Sequence, residues 1–305
     1  MVKRKNAIFA TIPPFLLCMI ATMLLRPYYI AFLATMYMFM ILAISWNIIS
    51  GNTGYISFGN HAFFGLGAYI AAALISYYAF NPYSAAITGG LICIGVSFIF
   101  AFPSLKLRGP YFSISTLCLA EALRALFSNL EYFGDGKGFF LSPQYVLYSY
   151  YYAILLLLIC TIIFSYYLKN SFIGLALASI KGDEDASEAC GVDTVFYKIA
   201  GFAMSAFFPG IAGGLYVWYM TYIDPITGFS VLFTVMSITM AMFGGMGTFF
   251  GPIIGGILFS VLYEILWASF PAFYLIILGA SMIIFTIFLP EGFCGILAKK
   301  GIKLP

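Results

Sequence analysis

Few side chains in this sequence of 305 residues could do chemistry, and they fit none of the common catalytic patterns. His61 is the single histidine, and one imidazole cannot hold a metal ion alone, so a hydrogen-bonded packing role is favoured. The six cysteines include no CxxC pair, and only Cys190 lies in a polar segment, which argues against a disulfide framework or a zinc site. A Walker A loop, an HExxH motif and a GxSxG turn are missing from the sequence. We therefore expect no cofactor, no metal and no ATP hydrolysis by the chain itself.

Three charged residues in apolar stretches are the next candidates, because a charge inside a membrane is costly and usually functional. Glu121 and Arg124 are spaced i,i+3, so they can neutralise each other on one face of a helix. Glu264 lies in a separate apolar segment. For all three we favour charge pairing or snorkelling to the interface, with direct contact to a substrate as the alternative.

The overall composition is that of a membrane protein. Lys and Arg number 14 and Asp and Glu 11, the hydrophobic fraction is 63%, and the mean hydropathy is +1.02. An ordinary soluble domain carries about a quarter of its residues as charges and needs a polar surface. The composition argues against a soluble enzyme, a nucleic-acid-binding protein and a secreted disulfide scaffold. It predicts an all-α, polytopic membrane protein with one transmembrane domain over residues 1–305.

Apolar runs between turn signals predict about ten transmembrane or re-entrant helices. The ten segments are 7–25, 28–49, 55–78, 83–103, 111–127, 145–168, 196–222, 229–243, 249–270 and 273–289. Segment 7–25 is long enough to cross a bilayer and is followed by another apolar run, so we interpret it as an uncleaved first span. Segments 55–78 and 229–243 are the two that could be broken or re-entrant.

The basic residues predict the orientation of these segments. If the N-terminus is cytoplasmic, ten spans return the C-terminus to the cytoplasm and place the polar loop 169–198 there as well. Most Lys and Arg residues then lie on the cytoplasmic side, as the positive-inside rule requires.

The loop 169–198 contains the sequence of a short capped helix. Asp183 is a good N-cap, Glu184 follows in the first turn where the helix dipole favours anions, and Gly191 suits the C-terminal stop. Ala186 and Ala189 would give this helix a small face that another protein can approach closely. A docking element for a soluble partner and a simple solvated connection both remain open.

Two glycine-rich breaks interrupt the apolar pattern. The first, at 51–69, begins with Gly51, Gly54 and Gly59, and the second, at 244–256, begins with Gly244 and Gly247. Such breaks can expose backbone polar groups and form substrate sites in transporters, although close helix packing is the alternative use of the same glycines. The breaks fall at the same predicted level and hint at two related halves, spans 2–5 and 7–10, in parallel orientation.

In their order and spacing, these stretches resemble the permease subunits of branched-chain amino-acid ABC importers. The similarity is to the M-type subunit of the high-affinity leucine/isoleucine/valine family and covers residues from about 43 to 295. The stretches that carry it are 46–69, 107–124, 173–192 and 244–248, with Pro290-Glu291-Gly292 near the end.

The resemblance implies a second permease subunit, two cytoplasmic ATP-binding subunits and an extracytoplasmic substrate-binding protein. ATP would be hydrolysed on the partner chains, and the segment 183–191 would be the coupling helix that docks on an ATPase. The path would run beside the breaks, and its candidate residues are Asn47, Gly51, Gly54, Ser57, Gly59, His61, Gly244 and Gly247. The coupling candidates are Asp183, Glu184, Ala186 and Gly191.

Two other functions remain open at the level of sequence. Related permeases for urea or short amides share most of these motifs, so the substrate is either a branched-chain or other hydrophobic amino acid or one of those compounds. A self-contained secondary transporter or channel is the rival class, although it usually needs more membrane-embedded carboxylates than this chain has. A membrane-embedded enzyme is the third alternative.

Overall fold

The computed structural model describes residues 25–105, 107, 109–134, 136–142, 146–271, 273, 276–277, 279–280, 283 and 292–299. The predicted span 7–25 lies outside these residues except at its last position, and most of 273–289 lies outside them, as do Lys106, Arg108, Pro290 and Glu291. The described chain is helical apart from one two-stranded ribbon, in agreement with the predicted all-α class.

The long helices account for the predicted spans. They are α1 (Pro27–Trp46), α2 (Asn60–Tyr78), α3 (Pro82–Ser104), α4 (Pro110–Asn129), α5 (Leu147–Lys169), α8 (Thr194–Met220), α10 (Val231–Gly244) and α11 (Gly251–Ser269). The short helices are α6 (Phe172–Gly182), α7 (Glu184–Ala189), α9 (Pro225–Gly228) and α12 (Gly292–Lys299), with a π-helix at Asn47–Gly51 and a 3₁₀ turn at Glu131–Phe133. The ribbon pairs β1 (Phe139–Phe140) with β2 (Tyr222–Ile223) in antiparallel fashion.

Seven described helical segments are long and apolar enough to cross a membrane. The count includes α9 and α10 as one segment, Pro225–Gly244. Helix α4 is 20 residues long, which also suffices for a bilayer core, but it carries the charged pair Glu121 and Arg124 and is less apolar than the others.

Each of the two segments that could be broken begins with non-helical residues and then continues as one uninterrupted helix. Helix α2 begins only at Asn60, and the chain before it runs without regular helix from Gly54 to Gly59. In the other segment, α9 and α10 are separated at residues 229–230. Each of the two helices has its own N-cap, Asp224 for α9 and Ser230 for α10.

Helices α2, α3 and α8 pack together through glycine. A Cβ atom on Gly67 would lie 2.1 Å from the carbonyl oxygen of Gly210, and one on Gly213 would lie 2.0 Å from that of Phe64. Across α3, a Cβ on Gly214 would lie 2.7 Å from the Cα of Ala86. The three backbones are therefore too close to admit any side chain at these points, as in other small-residue helix interfaces in membranes.

The two ends of the molecule carry different elements. We call the end with α6 and α7 the α7 end, and the end with the β1–β2 ribbon the ribbon end. Helix α1 finishes at the α7 end, whereas α8 starts there, since Ile49 lies against Gly201 in the first third of α8. The predicted parallel relation between spans 2–5 and 7–10 is therefore wrong: their first helices run in opposite directions.

Candidate functional site

The first glycine-rich break is an irregular segment whose backbone is held by side chains. The indole Nε1 of Trp46 donates to the carbonyl of Ser57 at 2.7 Å, and the backbone N–H of Ser57 donates to Ser50 Oγ at 3.1 Å. The N–H of Phe58 donates to Thr116 Oγ1 of α4 at 3.0 Å. Non-helical backbone at membrane depth is tolerated where protein satisfies it in this way.

The two breaks contact each other through Asn47, in the π-helix that ends α1. Its Oδ1 accepts from the N–H of Gly247 at 2.8 Å, and its Nδ2 donates to the carbonyl of Thr248 at 3.1 Å. Lys181 of α6 donates from Nζ to the carbonyl of Gly51 at 2.9 Å. We call these five residues the Asn47 cluster. It joins residues 200 positions apart in sequence and ties both breaks to α6.

Glycine is required at two positions of the Asn47 cluster. Gly247 has φ +81°, and a Cβ there would lie 2.7 Å from the carbonyl oxygen of Gly51. A Cβ on Gly51 would lie 2.0 Å from Asn47 Oδ1, so it would displace the amide from its two hydrogen bonds. The glycines at this contact therefore allow the two backbones to approach, which is the packing use considered from the sequence.

His61 is a packing residue between α2 and α10. Its backbone N–H donates to Thr234 Oγ1 at 2.9 Å, and its Nδ1 lies 2.8 Å from the same oxygen. The next residue toward the break, Asn60, donates to the carbonyl of Leu42 and to Ser237 Oγ. The side chain of His61 is fully buried, as expected for a hydrogen-bonded structural role.

The structure brings Asn47, Gly51 and Gly247 together at the α7 end, whereas His61 lies deeper, against Thr234 in the first turn of α10. Most of the predicted path residues face protein atoms in this conformation. Gly54 is exposed and Gly247 is half-buried. The buried members are Asn47, Gly51, Ser57, Gly59, His61 and Gly244. Open space begins beside Gly54, where a cleft of 720 Å³ is bordered by the break, the start of α4 and the segment from α6 to α7.

Helix α7 forms at the predicted position with the predicted ends. The Asp183 carboxylate accepts the N–H of Ala186 at 3.0 Å, and Gly191 has φ +87°. The N–H of Val192 donates to the carbonyl of Ser187, which completes a Schellman C-cap. Ala186 and Ala189 are both exposed on the surface of α7.

A buried ion pair, which the sequence did not reveal, fixes α7 to the core. Lys198 Nζ lies 2.5 Å from Glu184 Oε1, and the two side chains are 2% and 12% exposed. The same ammonium donates to the carbonyl of Leu105 at 3.1 Å and lies 5.0 Å from the ring centre of Tyr55. Tyr55 in turn donates its hydroxyl to Glu184. We call Tyr55, Leu105, Glu184 and Lys198 the Lys198 network; it connects α7, the first break, the end of α3 and the start of α8.

Helix α6 was also missed, because residues 169–198 were taken as one polar connection. Ser171 caps it through the N–H of Gly174, and its inner face buries Leu177 and Ile180. The apolar spacing of those two residues is a helical signal that could have revealed it. The sequence indicated the role of Lys198 more weakly, because Lys198 is a lone charge near the start of an otherwise apolar helix.

The charged pair of α4 behaves as expected. Arg124 Nη2 lies 2.6 Å from Glu121 Oε2, with side chains 43% and 39% exposed. The pairing lowers the cost of both charges at this depth.

Comparison with known proteins gives consistent matches. The sequence profile of the family described as branched-chain amino acid transport system / permease component matches residues 28–286. The LivM permease protein of the high-affinity branched-chain amino acid transport system of Salmonella typhimurium is 26% identical over 294 residues, covering 85% of this chain and 68% of the relative. The Escherichia coli LivM protein is 26% identical over 287 residues, covering 83% and 67%. No solved structure gives a significant match.

Proposed function

The chain belongs to the family of permease components of branched-chain amino acid transport systems, and from that membership we propose how it is energised. It is a multi-pass membrane transporter subunit of a branched-chain amino-acid ABC importer rather than an enzyme. In our proposal, a second permease subunit completes the path and two cytoplasmic ATP-binding subunits hydrolyse ATP. An extracytoplasmic binding protein delivers the amino acid at the ribbon end, and all of residues 1–305 form one permease domain.

The observation that carries this proposal is the combination of an exposed α7 and a rigid connection behind it. The surface of α7 at Ala186 and Ala189 is small and accessible, so a partner can approach its backbone closely. Behind that surface, the Lys198 network holds Glu184 against the core. A force applied to α7 by an ATPase would therefore be transmitted to the first break through Tyr55 rather than absorbed by a loose loop.

The cleft beside Gly54 supports a path at the same place. Its walls include Gly54, Ser113 and Lys181, which belong to the break, to α4 and to α6. Lys181 also holds Gly51 in the Asn47 cluster. We propose that movement of α6 and α7 opens the Asn47 cluster, so that the buried path residues become accessible from the cytoplasm.

The coupling assignment is tested by Ala186→Arg in the assembled transporter. A large charged side chain on the docking surface should abolish co-purification of the ATP-binding subunits, while the permease still inserts and folds. Ser142→Arg, at an exposed position of the ribbon end, is the matched control and should leave the association unchanged. Normal co-purification and normal ATP-driven leucine uptake by Ala186→Arg would refute the assignment of α7.

The orientation is tested by labelling single cysteines in a cysteine-free background. Ser179 is exposed on α6 and Ser142 is exposed at the ribbon end, so both report without disturbing a cap. A membrane-impermeant maleimide applied from outside should label Ser142→Cys and spare Ser179→Cys. The proposal that α7 and both termini are cytoplasmic fails if the pattern is reversed.

A further inference from the structure

A cavity of 280 Å³ lies between α1, α10 and α11, away from the Asn47 cluster. Tyr28 and Trp267 border it near the ribbon end, where α1 begins and α11 finishes. Its walls deeper in the protein are apolar and include Phe39, Met236 and Met240. The cavity therefore reaches from the ribbon end toward the middle of the membrane.

Glu264 places a carboxylate on the wall of this cavity. Among the residues that the structure describes, Tyr28 is the single side chain that hydrogen-bonds it, through the phenolic hydroxyl. No Lys or Arg within the described ranges forms an ion pair with it. This differs from Glu121 and Glu184, each of which has its own cation. A carboxylate in an apolar helix without a cation is suited to receive one from outside the chain.

Ser260 supplies a second polar group in the same cavity. Its side chain is 4% exposed, and its Oγ has no hydrogen-bond partner in the described part of the protein. A buried hydroxyl without a partner costs free energy. Of the five such side-chain groups among the described residues, Ser260 is the one that borders this cavity. Ser260 and Glu264 are four residues apart on α11, which places them on one face about one turn from each other.

We propose that this cavity binds the transported amino acid as a zwitterion on its way from the ribbon end. The α-ammonium group binds the Glu264 carboxylate, and the α-carboxylate accepts the hydroxyl proton of Ser260 one turn away. The branched side chain packs against Phe39, Met236 and Met240, and the flexible methionines accommodate leucine, isoleucine and valine alike. This inference rests on the proposed function, since it assigns a place in the permease to the substrate of that importer.

The test measures direct ligand binding to the permease complex in lipid nanodiscs, without the binding protein. The probes are leucine, 3-methylbutylamine, which lacks the carboxylate, and 4-methylpentanoate, which lacks the amine. Glu264→Gln should weaken the binding of leucine and of the amine at least about tenfold, the loss of an ionic hydrogen bond, and should leave the acid unaffected or improved. Ser260→Ala should weaken leucine and the acid but spare the amine.

Two further variants keep the result interpretable. Glu264→Asp retains the charge and should retain the preference for amines, which controls for a folding defect in Glu264→Gln. Glu131→Gln removes a carboxylate in the 3₁₀ turn outside the cavity and should change none of the three affinities.

The outcomes separate this inference from the proposed function. Equal loss of all three ligands in Glu264→Gln would mean that cavity shape matters and charge does not, which overturns the site. The same conclusion follows if the wild-type complex takes up leucine normally but shows no saturable binding of it in nanodiscs. Failure of the wild-type transporter to take up leucine at all would instead refute the proposed function.

Discussion

The Asn47 cluster and the Lys198 network differ from the cavity between α1, α10 and α11 in how completely their polar groups are bonded. At the α7 end, Asn47 makes two hydrogen bonds across the breaks, and Lys198 has a carboxylate, a carbonyl and an aromatic ring around it. In the cavity, Ser260 has no partner among the described residues and Glu264 has one hydroxyl. A fully bonded polar cluster specifies one arrangement of the backbone, whereas an incompletely bonded one is prepared for a group from outside. Similar substitutions should therefore have opposite effects in the two regions.

The largest effect is expected for Lys198→Met. Removing the lysine takes the Lys198 cation from the buried Glu184 carboxylate; breaking a buried ion pair typically costs about 3–5 kcal/mol, and the hydroxyls of Tyr55 and Thr194 that remain should reduce this. The midpoint of thermal unfolding of the purified permease should fall, and Glu184→Gln in the same chain should recover part of the loss. Lys137→Met, at an exposed lysine near the ribbon, is the control. If Lys198→Met and the double variant Lys198→Met/Glu184→Gln have the same unfolding midpoint, the Lys198 network does not hold α7.

Asn47→Ala should have the next largest effect. It leaves the N–H of Gly247 and the carbonyl of Thr248 without their partner. Both residues are half-buried, so each group should cost about 1 kcal/mol, at the low end of the range for a buried group. Asn129→Ala removes an exposed amide that bonds only within its own helix, and it should change stability by less than about 0.5 kcal/mol. Thermal unfolding of both variants measures the difference. Equal midpoints would show that the contact between the breaks contributes nothing.

Asp183→Ala should cost about 0.5–2 kcal/mol, because it removes the N-cap of α7. The loss is local, so hydrogen exchange at residues 184–189 should accelerate while exchange in α8 stays slow. Asp183→Asn keeps an oxygen that can accept the N–H of Ala186 and should retain most of the protection. Uniform acceleration along the whole chain would indicate that the cap supports the entire fold and not α7 alone.

Ser260→Ala should have the smallest effect on stability. The direction of its effect should differ from that of the same substitution at Ser57. The change removes a buried hydroxyl that has no partner in the described structure, so the unfolding midpoint should stay or rise slightly. Ser57→Ala is the same chemical change at the first break, where Oγ accepts the N–H of Gly59, and it should lower the midpoint. A lower midpoint for Ser260→Ala would mean that its hydroxyl is already bonded.

The sequence predicted the elements better than the contacts between them. Asp183 and Gly191 define α7 because a cap acts within a few residues, and the glycines mark both breaks for the same local reason. The meeting of Asn47 with Gly247 is not local, since it depends on how α1 and α10 are placed. The same holds for the cation that balances Glu184, which comes from another helix. The antiparallel course of α1 and α8 agrees with the alternating order of ten spans, but not with the parallel halves suggested by the glycine patterns, because those patterns carry no direction.

The glycine contacts among α2, α3 and α8 have a consequence for movement. A Cβ added to Gly67 would lie only 2.1 Å from the carbonyl oxygen of Gly210, so the backbones of these helices are in direct contact. They have almost no freedom to slide past one another. We therefore expect them to move as one unit. Helices α10 and α11 meet just as closely, because a Cβ on Gly255 would lie 1.9 Å from the carbonyl oxygen of Met240. Helix α1 instead packs on α10 through side chains, with Phe39 against Phe233, and such contacts repack at lower cost. We therefore expect relative movement to be easier where α1 meets α10 and α11, and the Asn47 cluster lies at that contact, where α1 meets the loop between α10 and α11.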